Sequence, residues 1–147
     1  MNPVDAANDV LGRFWDLTLP VDPIAIANMM GISVYYSDDL GSLSGFYDAE
    51  EKEILIHQHE SSQRQRFSIA HELGHAILRH GTSARKKFTH SEKKERDANT
   101  FAASLIMPAL AVRTMVEQRG MMFDELCTTF DVSEQAMAIR LSELGLV

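Results

Sequence analysis

Cysteine is nearly absent from this 147-residue chain. Cys127 stands alone, which rules out an intrachain disulfide and fits a reducing, cytoplasmic setting. Within Leu126-Cys127-Thr128 it reads as a small buried apolar side chain. Long hydrophobic runs are missing as well. Nothing in Met1 to Asp9 resembles a secretory leader, and no segment reaches the length of a membrane span. There is no surplus of positive charge: the formal net charge is -7, so the whole-chain field repels nucleic acid. Arg85-Lys86-Lys87 is the strongest local basic run and reads as a solvated loop. Internal repeats and low-complexity tracts are lacking too.

What is present is ordinary for a folded protein: 45% hydrophobic and 24% charged residues. The length suits a single domain over residues 1–147, because two independent halves would each be marginal. Asn2 and Pro3 open a helix that runs to Phe14. Asp22 caps a second helix, with Pro23 at its first position and Gly31 past its end. Ile32 to Tyr36 is a strand, and Leu43 to Tyr47 with Glu53 to His57 form a hairpin across a charged turn. From Ser61 the hydrophobic period changes from two to about 3.6. Helices are expected over Gln63 to Arg79, Ser91 to Met107, Ala109 to Arg119, Phe123 to Phe130 and Glu134 to Leu144. The plan is α+β: helices and a small three-stranded sheet in 1–60, two long helices in 61–108, and a helical C-terminal part in 109–147.

The chemistry concentrates in His71-Glu72-Leu73-Gly74-His75. Histidines at i and i+4 lie one turn apart on one helix face, where both imidazoles reach a single zinc ion. Glu72 is displaced about 100° around the helix. It reaches a water activated by the metal without taking a ligand position, and so serves as general base. Two surface histidines would be the bland reading. Ile69, Ala70, Leu73, Ala76, Ile77 and Leu78 argue against it, because a helix so apolar is largely buried and its polar groups need partners. Gly74 costs roughly 1 kcal/mol relative to alanine in a helix, and its presence points to close approach by another element.

A catalytic zinc site normally has a third protein ligand. With Glu95 set at zero, Asn99, Ala102 and Ile106 fall within about 40° of it, so Glu95 lies on the core-facing line of its helix. Asp97 is about 200° away and faces outward; Glu92, about 60° off the line, is the reserve. The competing reading of Glu95 is a carboxylate at a frayed helix start, favoured there by the dipole. Asn99 is a candidate hydrogen-bond partner for a ligand histidine. His80 falls half a turn out of phase with His71 and reads as a helix C-terminal residue meeting the last carbonyls. His57 and His59 share a strand end and read as exposed polar residues. His90 is a candidate donor to a developing oxyanion.

Two stretches, Arg64-Gln65-Arg66-Phe67-Ser68-Ile69-Ala70 running into the histidine motif and Glu95-Arg96-Asp97-Ala98-Asn99 through Met107-Pro108, together resemble the ImmA/IrrE metallopeptidases. Val21 to Ala27 and Phe130 to Leu146 extend the likeness through most of the chain. The resemblance implies a zincin-like fold of the gluzincin type, a zinc cofactor, and Glu95 as the glutamate ligand. The family often has glutamate where this chain has Asp97, a departure that leaves the three ligands His71, His75 and Glu95 intact. It also implies a protein substrate: a helix-turn-helix transcriptional repressor, encoded nearby on mobile DNA or under stress control. By analogy with other zinc peptidases, Glu53 to His57 would hold the substrate backbone as an added strand.

Two other functions compete. The outline of Phe123 to Leu144 resembles a helix-turn-helix. Its second helix, however, carries only Arg140 against Glu134 and Glu143, too little positive charge for phosphate contact, so direct nucleic-acid binding is not expected. The other is a metal-containing module that sequesters a repressor or toxin without cutting it.

Overall fold

A computed structural model describes residues 1–81 and 90–147, so the Arg85-Lys86-Lys87 run lies outside the described residues. Among the described residues the chain forms seven α-helices and a three-stranded sheet, an α+β architecture. Helix α1 (Pro3–Phe14) starts where Asn2 Oδ1 accepts from the amides of Val4 and Asp5, with Pro3 at the first position. Helix α2 (Pro23–Met29) is capped in the same way by Asp22. Gly31 then turns the chain at φ +81°, a region that glycine enters without a Cβ penalty.

Strands β1 (Ser33–Ser37), β2 (Gly45–Asp48) and β3 (Glu53–His57) are arranged in the order β1-β3-β2. β3 is antiparallel to β2, as the hairpin reading requires, and parallel to β1. This order corrects the expectation that Glu53 to His57 accepts an added strand. Both edges of β3 are already paired, through Leu55 with Tyr35 on one side and Phe46 on the other. The strand with an edge to offer on the hairpin side is β2.

Helix α3 (Ser62–Ile77) lies across the sheet and packs along helix α4 (Glu92–Ile106). Each has a serine cap: Ser61 accepts from Arg64 N–H and Ser91 from Lys94 N–H. The close approach expected at Gly74 is present. A Cβ there would sit 3.1 Å from Phe101 Cδ1 and 3.3 Å from Ala98 Cα. Phe101 is fully buried in this contact, worth about 1.5–3 kcal/mol for such a side chain. Ile69, Ala70 and Leu73 from α3 and Ile54 and Ile56 from β3 complete the same core.

Beyond Pro108 the chain departs from the expected single helix over Ala109 to Arg119. Helix α5 (Ala109–Arg113) widens into a π-helical turn over Thr114–Gln118, where Arg119 N–H reaches back five residues to Thr114 O. Helix α6 (Phe123–Phe130) ends at Asp131 with φ +52°, and helix α7 (Glu134–Glu143) starts on a Ser133 cap. Two arginines fasten this pair to the rest. Arg66 on α3 donates to the carbonyls of Phe130 and Asp131. Arg140 on α7 is only 7% exposed and donates to Met107 O, just past the end of α4. The one base on the would-be recognition helix therefore points inward, where it cannot meet phosphate.

Gly74→Val should destabilise the fold by about 1–3 kcal/mol through overpacking against Phe101 and the α4 backbone. Urea unfolding checks this, and an unchanged midpoint would refute the close-packing account.

Candidate metal centre

The site is assembled by helix phase on α3 and by the packing of α4 against it. His71 and His75 sit one turn apart, with their rings edge to face at 4.7 Å. Their Nε2 atoms approach to 3.1 Å. From α4, the Glu95 carboxylate places Oε1 2.9 Å from His75 Nε2 and Oε2 3.3 Å from His71 Nε2. Two donors each about 2.0–2.1 Å from a tetrahedral zinc ion stand roughly 3.3 Å apart. The three side chains are thus spaced as a set of ligands would be, and two imidazoles with a carboxylate suit zinc.

Glu95 does not lie at the centre of the buried stripe of α4, which is formed by Ala98, Phe101, Ala102 and Leu105. It sits at the edge of that stripe and its side chain is 46% exposed. Helical phase had placed Glu95 on the stripe itself, and the offset is one position around the helix face. An edge position is what a ligand needs if one coordination direction is to stay open to solvent. Glu92, the reserve candidate, is 97% exposed and leans toward Arg96. Asp97 pairs with Lys93 at 2.7 Å instead of turning to the histidines.

Glu72 is buried beside the histidines; the ligand-capable atoms of His71, Glu72 and His75 all lie within 4.8 Å of one another. β2 passes directly over it. A Cβ at Gly45 would stand 3.1 Å from Glu72 Cγ and 3.5 Å from its Oε2. Gly45 thus lets strand and carboxylate come together. Its role was not anticipated, although a glycine inside a strand pattern is a recognised sign of close approach.

The ring nitrogens facing away from Glu95 have partners of their own. His71 Nδ1 lies 2.8 Å from Asn99 Oδ1. An amide oxygen only accepts, so His71 carries its proton on Nδ1 and presents a lone pair at Nε2. His75 Nδ1 lies 2.8 Å from His80 Nδ1. His80 had been expected out of phase with the site, but the helix ends at Ile77 and the chain doubles back. His90 stacks on His75 at 4.2 Å. His90 does not line the cleft above the site, so it faces the His75 ring and not the cleft. His57 and His59 likewise lie outside the cleft lining.

Burial sets the protonation state. His75 is 1% exposed. Desolvation, followed by the positive charges that His71, His90, His80 and Lys94 would carry, drives its pKa down to about 2. Desolvation also lowers His80 and His90. His75 therefore stays a neutral imidazole, the form that binds a metal.

A cleft of about 810 Å³ opens above these residues, with His71, Glu72, Glu95 and Asn99 in its wall. Its lining also includes Leu43, Ser44, Gly45 and Arg64, the apolar Phe67, Ala103, Ile106, Val132, Ala136 and Ile139, and the polar Ser133, Gln135 and Glu143. Ile139 on α7 is 53% exposed there. Among the described residues, no single helix is long and apolar enough to cross a membrane.

A family model described as the IrrE N-terminal-like domain matches residues 27–142. The radiation response metalloprotease IrrE of Deinococcus radiodurans is 30% identical over 128 residues, which is 80% of this chain and 39% of that protein. The metallopeptidase ImmA of Bacillus subtilis is 30% identical over 115 residues, 74% of this chain and 68% of ImmA. The chain thus spans well under half the length of the first relative and about two thirds of the second. A solved Mycobacterium tuberculosis transcriptional regulator aligns with a TM-score of 0.70 at 22% identity, over 95% of this chain and 46% of that one; the likeness is one of fold.

The depressed His75 pKa has a consequence for the metal-free protein. Above the unfolded value of 6.5 the residue is neutral in both states and adds no pH dependence. From 6.5 down to about 2 only the unfolded chain takes up its proton, so stability should fall with pH in that window. The slope from this one group approaches about 1.4 kcal/mol per pH unit. Urea titrations of the metal-free protein at several pH values should show a steeper acid loss than those of His75→Gln; equal slopes would contradict the assignment.

Proposed function

The chain belongs to the IrrE N-terminal-like domain family, and from that premise we propose that it is a zinc-dependent endopeptidase acting on a regulatory protein, a helix-turn-helix transcriptional repressor. The observation that carries the reading is the convergence of His71, His75 and Glu95 beside a buried Glu72, in the wall of a cleft open to a peptide. In this reading His71 Nε2, His75 Nε2 and the Glu95 carboxylate hold the ion. Bound there, zinc supplies Lewis acidity, lowering the pKa of water to near 7 and polarising a carbonyl.

The chain's own residues do the rest. Glu72 takes a proton from the attacking water onto its carboxylate and returns it to the departing amine, as one general base and acid acting in turn. Its burial shields that exchange from bulk water. Gly45, lacking a Cβ, leaves room for it against β2. Asn99 fixes the His71 tautomer so that the lone pair faces the ion.

The substrate would lie extended along the outer edge of β2, since among the described residues β3 is its only strand partner. Ser44 and Gly45 line the cleft, with Gly45 against Glu72. A bulky apolar side chain next to the scissile bond would fill the space between Phe67, Ile106 and Ile139. The repressor as substrate follows from the family resemblance, in which phage or other mobile DNA, or stress control, supplies the context. The name of the Deinococcus relative, a radiation response metalloprotease, is in keeping with regulatory proteolysis. A cytoplasmic site of action goes with such a partner.

The decisive comparison is wild type against Glu72→Gln, each loaded with zinc and incubated with the repressor encoded beside the gene. Wild type should produce a discrete cut. The variant should keep stoichiometric zinc and lose about 10²–10⁴-fold in rate. Full biological activity of Glu72→Gln would show that the protein acts by sequestration. Failure of zinc-loaded wild type to cut any such repressor would remove the substrate claim.

A further inference from the structure

We propose that His80 is a positioning residue for the metal centre: it accepts a hydrogen bond from His75 Nδ1–H and so fixes the tautomer and rotation of that ligand. The proposal rests on the reading of His75 as a zinc ligand.

The argument starts from the backbone at the end of α3. Leu78 is the cap residue, Arg79 N–H donates to Ala76 O, and His80 N–H donates to His75 O. This is the hydrogen-bond pattern of a Schellman motif, with Arg79 at the left-handed position that usually belongs to glycine. Arg79 has φ +59°, a conformation unfavourable for an L-residue. The motif has a geometric result. It brings the second residue beyond the cap back against the residue three places inside the helix, a meeting normally filled by two apolar side chains. Here those two positions are His80 and His75. Their Nδ1 atoms stand 2.8 Å apart and their rings meet at 62°.

Proton placement then follows from the ligand role. His75 Nε2 faces Glu95 and His71, and metal binding requires its lone pair there. The proton must sit on Nδ1, so His80 Nδ1 is the acceptor and His80 carries its own proton on Nε2. The face of His75 is held as well, by the stacked ring of His90 at 4.2 Å. The two ligand histidines are thus oriented by different means. His71 uses Asn99 from the neighbouring helix, and His75 uses the C-terminal turn of its own helix.

Zinc affinity by chelator competition and the absorption spectrum of the cobalt(II)-substituted protein test this. His80→Ala should weaken zinc binding about 10–100-fold and shift the cobalt bands. His80→Asn should retain near wild-type affinity and spectrum, because an asparagine Oδ1 occupies the same place relative to Cβ as a histidine Nδ1 and can only accept. Urea midpoints of the metal-free forms should be similar in all three proteins, separating a loss of affinity from a loss of fold. Wild-type affinity in His80→Ala, or an equal loss in His80→Asn and His80→Ala, overturns the proposal. If wild type itself binds no zinc, the metal reading falls and this proposal falls with it.

Discussion

The contact between Gly74 on α3 and Phe101 on α4 governs the position of everything else at the centre. One helix carries two histidines and a glutamate, and the other carries a carboxylate and an amide. Neither set is a site until the helices lie nearly in contact. A Cβ at Gly74 would come within 3.3 Å of the α4 backbone, so glycine is what allows that distance. Phe101 supplies the apolar burial that holds the helices together, and Glu95 and Asn99 are carried to the His71 and His75 rings as a consequence. The helix-propensity loss of roughly 1 kcal/mol at Gly74 is small beside the energy of that packing.

A second close approach serves the chemistry. Gly45 brings β2 against Glu72 from the sheet side, just as Gly74 brings α4 from the helix side. Between them the motif helix is enclosed on two faces and open on a third, where the cleft lies. That division explains the electrostatics. His75, on the enclosed side, is held neutral by desolvation. Glu95, at the rim, keeps its side chain 46% exposed.

Much of this was legible beforehand, where local rules decide. The caps at Asn2 and Asp22 gave helix starts close to those observed, because an N-cap is a hydrogen bond between near neighbours. Helical phase singled out Glu95 and Asn99 on α4, because angle around a helix is a property of spacing alone. What escaped depends on pairing or on departures from regular helix. Strand order is a non-local property, so the sequence pattern could not show that β3 is central and β2 is the edge strand. His80 was misplaced because the phase argument continued the helix past Ile77, whereas Arg79 enters the left-handed region without a glycine to signal it. The π-helical turn at Thr114–Gln118 adds a residue to a turn that the 3.6-residue period cannot represent.

The C-terminal helices show how one outline supports two functions until charge and burial are examined. α6 and α7 have the lengths and the short turn of a helix-turn-helix. A nucleic-acid reader would present its cations outward. Here Arg66 and Arg140 are spent on carbonyls at helix ends, joining α6 to α3 and α7 to α4. Those bonds fix the pair as one wall of the cleft, with Ile139, Ala136 and Val132 facing the space above the metal centre. The same two helices that would have read a DNA groove therefore serve as a wall of the cleft beside His71, Glu72 and Glu95.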